Sequence, residues 1–463
     1  MRSVGGALAL GVGLVLATAS PLSAHGGLKR SVPAAGSHVE SVLRELRLTF
    51  SDASPLNITR VRLVGADSQA VALGPMSHLD GDARREVLVP ILGALAVGTY
   101  AVEWQTAGAD GHPVRGRFTF MVMVETPQIP TAPSTPPKVL PQGSDAAFDA
   151  SAPLYVGIRW TTFLAILALV GVVVFQFVVL RASVALSDAV RTDAASGALA
   201  VATWSAVVLG LAAVARLGAQ SYALFGTDAL DVRLTAGLLG GTVWGIGWLL
   251  QVAAALVVWQ SARMVRAGRS GAWWSVAVGA TVAATTPALT GHAAAAGALA
   301  VTGDVVHVLA AGGWIGSLFV LFAAALPAAR SAPEGDRERS VATFVHAFSP
   351  VALVSVALLG GSGLLSAWLA FTGLSDLWLT PYGRTLAIKL IVLSAVIATG
   401  WYNWKRVTPR LASTEGVLLL RRTVAAELTV AVLVLGVTAV LTARPTPKDA
   451  AEMSGHDMSM RAP

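Results

Sequence analysis

The chain has 463 residues, 54% hydrophobic and only 13% charged, with a net charge of +7 and no cysteine. That composition excludes an average soluble domain and leaves room for one small domain beside a large membrane bundle. The absence of cysteine excludes disulfides, thiolate zinc sites and cysteine-ligated iron–sulfur clusters, and the basic residues, spread through short loops between apolar runs, read as membrane topology rather than nucleic-acid binding.

Residues 1–24 have the layout of a secretory signal: Arg2, an apolar stretch from about Gly5 to Ala17, then small residues. Two cleavage points compete. Cleavage after Ala24 makes His25 the first residue of the mature chain, whereas cleavage after Ala19 fits the small-x-small rule better and leaves five residues ahead of it. An uncut anchor is the third reading. Residues 25–124 alternate as strands do: Leu46, Leu48 and Phe50 share a face opposite Arg47 and Thr49, and Val61 with Leu63, Tyr100-x-Val102-x-Trp104 and Phe118-x-Phe120-x-Val122 repeat the pattern. The expectation is a small all-β sandwich. Residues 125–150, rich in proline, read as an extended linker.

Over residues 151–445, apolar runs long enough to cross a bilayer recur eight times, near 154–180, 196–219, 234–260, 271–292, 303–327, 342–371, 384–404 and 420–442. If the β-domain lies outside, the odd-numbered connections face the cytoplasm. They hold thirteen basic residues: Arg181, Arg191, Arg263, Arg266, Arg269, Arg330, Arg337, Arg339, Lys405, Arg406, Arg410, Arg421 and Arg422. The even-numbered ones hold only Arg233 and Arg384. This asymmetry predicts an eight-helix transmembrane bundle in the plasma membrane, with the β-domain and the C-terminus both outside. Residues 446–463 form a polar tail.

Several residues carry metal chemistry. An N-terminal His25 would chelate through its amine and ring, and Asp110 and His112, two apart in Asp110-Gly111-His112-Pro113, share a strand face. A nitrogen- and oxygen-rich set of this kind favours tetragonal Cu(II). The same tetrapeptide also reads as a plain turn. In the bundle, ionisable groups are costly unless paired or hydrated. Asp304 and His307 share a helix face near the outer end of the fifth run, and His292 ends the fourth at the same level. The three form a candidate membrane metal site. Otherwise Asp304 caps its helix and His292 sits in a solvated loop. His346 and Glu427, lower down, form a candidate inner site or a structural pair. Arg159, Arg216 and Lys389 read as snorkelling or charge-pairing groups rather than ligands. Met453, His456, Met458 and Met460 form a candidate tail site in which the thioethers suit Cu(I).

Residues 25–124 resemble CopC, the periplasmic copper-binding family. His25-Gly-Gly-Leu28 with Ser31, Pro33, Ala34 and Gly36 follows its opening, and Gly98-Thr99-Tyr100, Trp104, Asp110-Gly111-His112-Pro113, Gly116 and Phe118 follow its closing signature. The resemblance implies a Greek-key, cupredoxin-like sandwich that binds Cu(II) through His25, Asp110 and His112. With only Met76 and His78 in the middle stretch, no methionine-rich Cu(I) loop is expected. Residues 153–445 resemble CopD, the membrane partner, at Gly291-His292-Ala293, Asp304-x-x-His307, Trp314, Gly316, Tyr382-Gly383-Arg384, Lys389 and Glu427, with Ser317 where many relatives have a second glycine. The implied function is capture of Cu(II) outside and its passage inward for copper homeostasis or resistance, without enzymatic activity and with copper ions, the bilayer and other periplasmic copper carriers as partners. The alternatives are a b-haem electron-transfer bundle built on His292, His307 and His346, a copper oxidase, and a sensor or store.

Overall fold

Alternation along the first hundred residues is what builds the N-terminal domain. The structure, a computed structural model, describes residues 27–51, 53–107, 113–127, 152–291, 293–333 and 335–451. Its strands are β1 (Leu28–Val32), β2 (His38–Val39), β3 (Glu45–Phe50), β4 (Arg60–Val64), β5 (Ala70–Val71), β6 (Ser77–His78), β7 (Glu86–Pro90), β8 (Gly98–Ala107) and β9 (Pro113–Val122). They form two sheets, ordered β1-β3-β7-β6 and β2-β9-β8-β4-β5. Leu46, Leu48, Phe50, Val87 and Val89 from one sheet meet Leu63, Val102, Trp104, Phe120 and Val122 from the other in a single core. This is the expected sandwich. Trp104 lies across its cross-strand neighbour Gly116, where any Cβ would overlap the indole, and meets Phe50 edge-on at 5.3 Å.

The alternation fails at the end of β8, where Trp104, Gln105, Thr106 and Ala107 are all buried. One face of the strand belongs to the sandwich core. The other rests on helices, so both faces are covered.

The helices follow the apolar runs: α1 (Pro153–Ala182), α2 (Asp188–Phe225), α3 (Val243–Arg266), α4 (Trp273–Leu289), α5 (Ala298–Ser331), α6 (Arg337–Ala370), α7 (Pro381–Arg410) and α8 (Thr414–Leu441). Seven of them are long and apolar enough to cross a membrane. The eighth, α4, has 17 residues and contains Pro287, which makes it about 25 Å long and near the lower limit for a span. Ser and Thr begin four of these helices: Ser187, Thr242, Thr380 and Ser413 each accept a hydrogen bond from an amide in the first turn. At the opposite end of α1, Arg191 donates to Leu180 O and Ser183 O, closing the helix C-terminus with positive charge.

Small residues set the packing of the bundle. α1 and α5 cross backbone to backbone at Gly171 and Gly316, where a Cβ on either would overlap the other helix's main chain, and Gly312 fits against Val170 one turn away. Gly312-x-x-x-Gly316 is thus a close-approach face of the kind that holds helices together where lipid removes the hydrophobic drive. Ser317, beside it, is fully buried and hydrogen-bonded to Gly313 O, which is how a serine serves at that position.

The β-domain sits on the end of the bundle where α2 stops and α3 starts. Ile58 and Ala107 pack with Leu224, Phe225, Leu238 and Trp244 in one apolar cluster, Leu238 coming from the short helix Val232–Gly241. Around it Gln105 donates to Leu224 O, Arg115 donates to Ala223 O at 3.0 Å, and Arg60 pairs with Asp228 at 3.6 Å. Gly171→Ala should sharply reduce the yield of folded, monodisperse protein in detergent. Gly210→Ala on α2, where a Cβ meets open space, should leave the unfolding midpoint unchanged or slightly raised.

Candidate functional site

Between the sandwich and the bundle lies a cavity of about 1670 Å³. Its upper wall includes Gly27, Trp104, Val114 and Gly116 from the β-domain, and its lower wall includes Asp304, His307, Trp314 and Lys389 from the helices. His25, Asp110 and His112 lie outside the described residues, as do His292 and the tail residues Met453, His456, Met458 and Met460. In sequence, His25 and His112 each stand two residues before a cavity-lining residue, Gly27 and Val114, and His292 falls between two more, Gly291 and Ala293.

Asp304 and His307 are one turn apart on α5 and both line the cavity. The imidazole is held from α6, where Ser362 Oγ lies 3.0 Å from His307 Nδ1. Ser362 donates its one hydrogen to Leu358 O at 2.7 Å, so towards the ring it accepts. Nδ1 therefore carries the proton and Nε2 keeps its lone pair, the arrangement of a metal-ligating histidine whose far nitrogen is fixed by a second partner. Gly363, the next residue, packs beside the ring, where even a Cβ would make only ordinary contact at 3.6 Å from His307 Cε1. Lys389 on α7 lies within electrostatic reach of both Asp304 and His307. Its chain neighbours Ile388 and Ile391 are at least half exposed, while Lys389 itself lines the cavity. Among the described residues, no three His, Asp or Glu side chains gather into a metal cage. Asp304 and His307 bring one carboxylate and one imidazole to the cavity.

The inner pair has different surroundings. Glu427 on α8 is buried at 3% exposure, whereas His346 on α6 is exposed, and no ion pair joins them among the described residues. Glu427 instead accepts from Asn403 Nδ2 at 3.0 Å and from the Trp314 side chain. Both donors sit in wide π-helical turns, Gly312–Gly316 in α5 and Asn403–Val407 in α7. Such turns commonly re-aim side chains at functional positions. The other amide atom, Asn403 Oδ1, is buried without a partner. Sequence reasoning missed Ser362 and Asn403, since one serine or asparagine in an apolar helix carries no signal of its own. The polar exceptions to the apolar face were the only available cue.

The histidine spacing bears on the haem alternative. His307 bonds Ser362, and His346 lies sixteen residues before Ser362 on the same helix, about 24 Å along its axis. These two histidines cannot flank one haem.

Glu427→Leu should lower the detergent unfolding midpoint by leaving Asn403 and Trp314 N–H groups unmet, at about 1–3 kcal/mol for each. Glu427→Gln, which keeps an acceptor, should lose clearly less in the same thermal scan.

Three family models match separate stretches of the chain. Residues 28–123 match the CopC domain, residues 149–301 the copper resistance protein D-like N-terminal domain, and residues 342–441 copper resistance protein D. Copper transport protein CutJ of Bacillus subtilis (strain 168) is 24% identical over 439 residues, covering 92% of this chain and 75% of its own. Copper resistance protein C of Escherichia coli is 34% identical over 121 residues, 24% of this chain and 90% of its own. Among solved structures, CopC from Methylosinus trichosporium OB3b is 24% identical and covers 23% of this chain and 100% of its own, with a TM-score of 0.20. PcoC from Escherichia coli, described as a methionine-rich copper resistance protein, is 31% identical over 21% of this chain and 99% of its own, with a TM-score of 0.19.

Proposed function

Because this chain belongs to the CopC–CopD copper-binding and copper-resistance family, we propose that it captures Cu(II) on the β-domain and hands it through the cavity to the membrane helices for passage inward. The observation that carries this reading is the cavity itself: residues two positions after His25 and His112 line the same cavity as Asp304 and His307.

Capture rests on the His25 amine and ring, the Asp110 carboxylate and the His112 ring. The donor set is hard to borderline and suits Cu(II). Transfer into the bundle requires replacement ligands, because a metal cation entering low dielectric without them pays a large desolvation cost. His307 Nε2 and the Asp304 carboxylate supply two, and His292 is the third. Lys389 serves as the counter-charge of Asp304 between deliveries and gives up that role when the metal arrives. The Glu427 carboxylate and the orphaned Asn403 Oδ1 offer oxygen ligands further along the path, with His346 beyond them towards the basic end of the bundle. The tail set Met453, His456, Met458 and Met460 scavenges copper at the outer surface. In this reading the residues after Ala24 begin the mature chain, residues 125–150 tether the two domains, and the thirteen basic connection residues face the cytoplasm.

The test is full-length protein in proteoliposomes, with the mature N-terminus established by intact mass. Native protein beginning at His25 should take one tight Cu(II), read by its electron paramagnetic resonance spectrum, and should accumulate copper inside the vesicles. His112→Ala should abolish the tight Cu(II) signal. His307→Ala should keep that signal and lose most of the accumulation. Accumulation undiminished in both variants would dismiss the handover.

Ser362→Ala should act through the ring it holds. Losing that partner typically costs a metal site about 10- to 100-fold in affinity, so copper accumulation should need correspondingly higher copper while capture at the β-domain is unaltered.

A further inference from the structure

The middle stretch of the β-domain presents no soft metal site: Met76 packs against the sandwich core, and His78 Nε2 lies 2.9 Å from Ser54 O. Soft donors gather instead at the end of β9. The methionines among the described residues are Met76, Met121, Met123 and Met264. Two of these four stand here, on either side of the fully buried Val122.

Strand alternation sends Phe118, Phe120 and Val122 into the core and turns Met121 and Met123 to the opposite face. Both methionines are exposed, at 37% and 47%. β2 runs parallel beside them and pairs His38 with Met121 and Val39 with Val122. Met121 N donates to Ser37 O and Met123 N to Val39 O, each at 2.9 Å. The second bond carries the pairing one step further and sets Glu40 opposite Met123. Residues opposite one another share a face, so the exposed His38 stands beside Met121 with Met123 on the diagonal. Neighbouring strands are about 4.8 Å apart. Diagonal neighbours lie about 7–8 Å apart, within reach of long side chains.

The patch is remote from the membrane helices. Arg115 bonds α2, and Met121 lies six residues further along β9, about 20 Å away. Neither methionine nor His38 lines the cavity. One exposed methionine on a surface is ordinary. Two thioethers beside an imidazole that makes no hydrogen bond or ion pair among the described residues are a ligand set. Thioethers are soft and uncharged, so they select Cu(I) and offer little to a hard dication. Glu40 adds negative charge at the rim, which favours a bound cation. We propose that His38, Met121 and Met123 form a surface Cu(I) site on the β-domain, separate from the proposed Cu(II) ligands. It binds copper without electron transfer and does not depend on passage through the cavity.

The experiment uses the full-length chain in detergent without oxygen, with the tail donors removed by Met453→Leu, Met458→Leu and Met460→Leu. Titration with Cu(I) against the coloured chelator bicinchoninate reads the number and strength of sites. Adding Met121→Leu with Met123→Leu should remove one Cu(I) equivalent, together with sulfur scattering in the copper X-ray absorption spectrum. His38→Ala alone should weaken that equivalent at least tenfold, since losing even a supporting group costs a metal site about 10- to 100-fold. Met264→Leu, on α3, should change neither. Leucine keeps the bulk of methionine on an exposed face, so the unfolding midpoint of the double variant should stay at that of its parent. An unchanged Cu(I) count and affinity in the double variant, or an equal loss with Met264→Leu, overturns the proposal. The readout involves neither Cu(II) nor accumulation in vesicles, so it stands or falls apart from the handover.

Discussion

The apolar seam formed by Ile58, Ala107, Leu224, Phe225, Leu238 and Trp244 is the contact on which the rest of this architecture depends. It fixes the sandwich to the end of the bundle by ordinary burial, and the polar contacts of Gln105, Arg115 and Arg60 surround it. Without the seam there is no cavity, because neither domain encloses that space alone. Burial at the seam is also what covers the second face of β8. A soluble sandwich would leave that face to water and would keep strict alternation to the end of the strand.

Legibility in the sequence follows from this. Leu46, Leu48, Phe50, Val102 and Phe120 were readable because each strand there has one wet and one dry face. Gln105 was not, since a polar residue in a strand normally signals solvent and here signals a docked partner, and Thr106 was not, since its hydroxyl is met inside the sandwich by Ser54 and Thr59. The apolar runs announced the helices, and their number blurred only at α4, where Pro287 and the short length leave the span close to the limit. Asp304, His307 and Glu427 stood out as charges in apolar surroundings. Their neighbours did not. Ser362, Asn403 and the π-helical turns become visible only when separate helices are brought together, because a long-range pairing leaves no periodic trace. The proposal of His25, Asp110 and His112 as Cu(II) ligands rests on resemblance, and the described residues reach only their chain neighbours.

The inner face of the bundle keeps its charges in an unusual order. Cations dominate the outer space, a carboxylate and an imidazole sit at its floor, and one further carboxylate, Glu427, lies beyond Trp314, held by two neutral donors. On the proposed route a dication would meet first these cations, then the Asp304 carboxylate and the His307 imidazole, then the Glu427 carboxylate.

α5 carries two wide turns, at Gly312–Gly316 and Leu321–Ala325. Each accommodates about one additional residue, and one residue rotates everything beyond it by about 100° around the axis. The helix is therefore written in three angular phases. His307, ahead of the first turn, faces α6; Gly312 and Gly316, the two ends of that turn, lie on α1; and Ala324, inside the second turn, meets Gly197 of α2. Hydropathy is indifferent to these phases. A one-residue deletion inside the first turn would leave an equally good membrane anchor, yet it would swing the two ends of the helix out of step, so that the bond of His307 to Ser362 and the contact of Ala324 with Gly197 could no longer both be satisfied by the same chain.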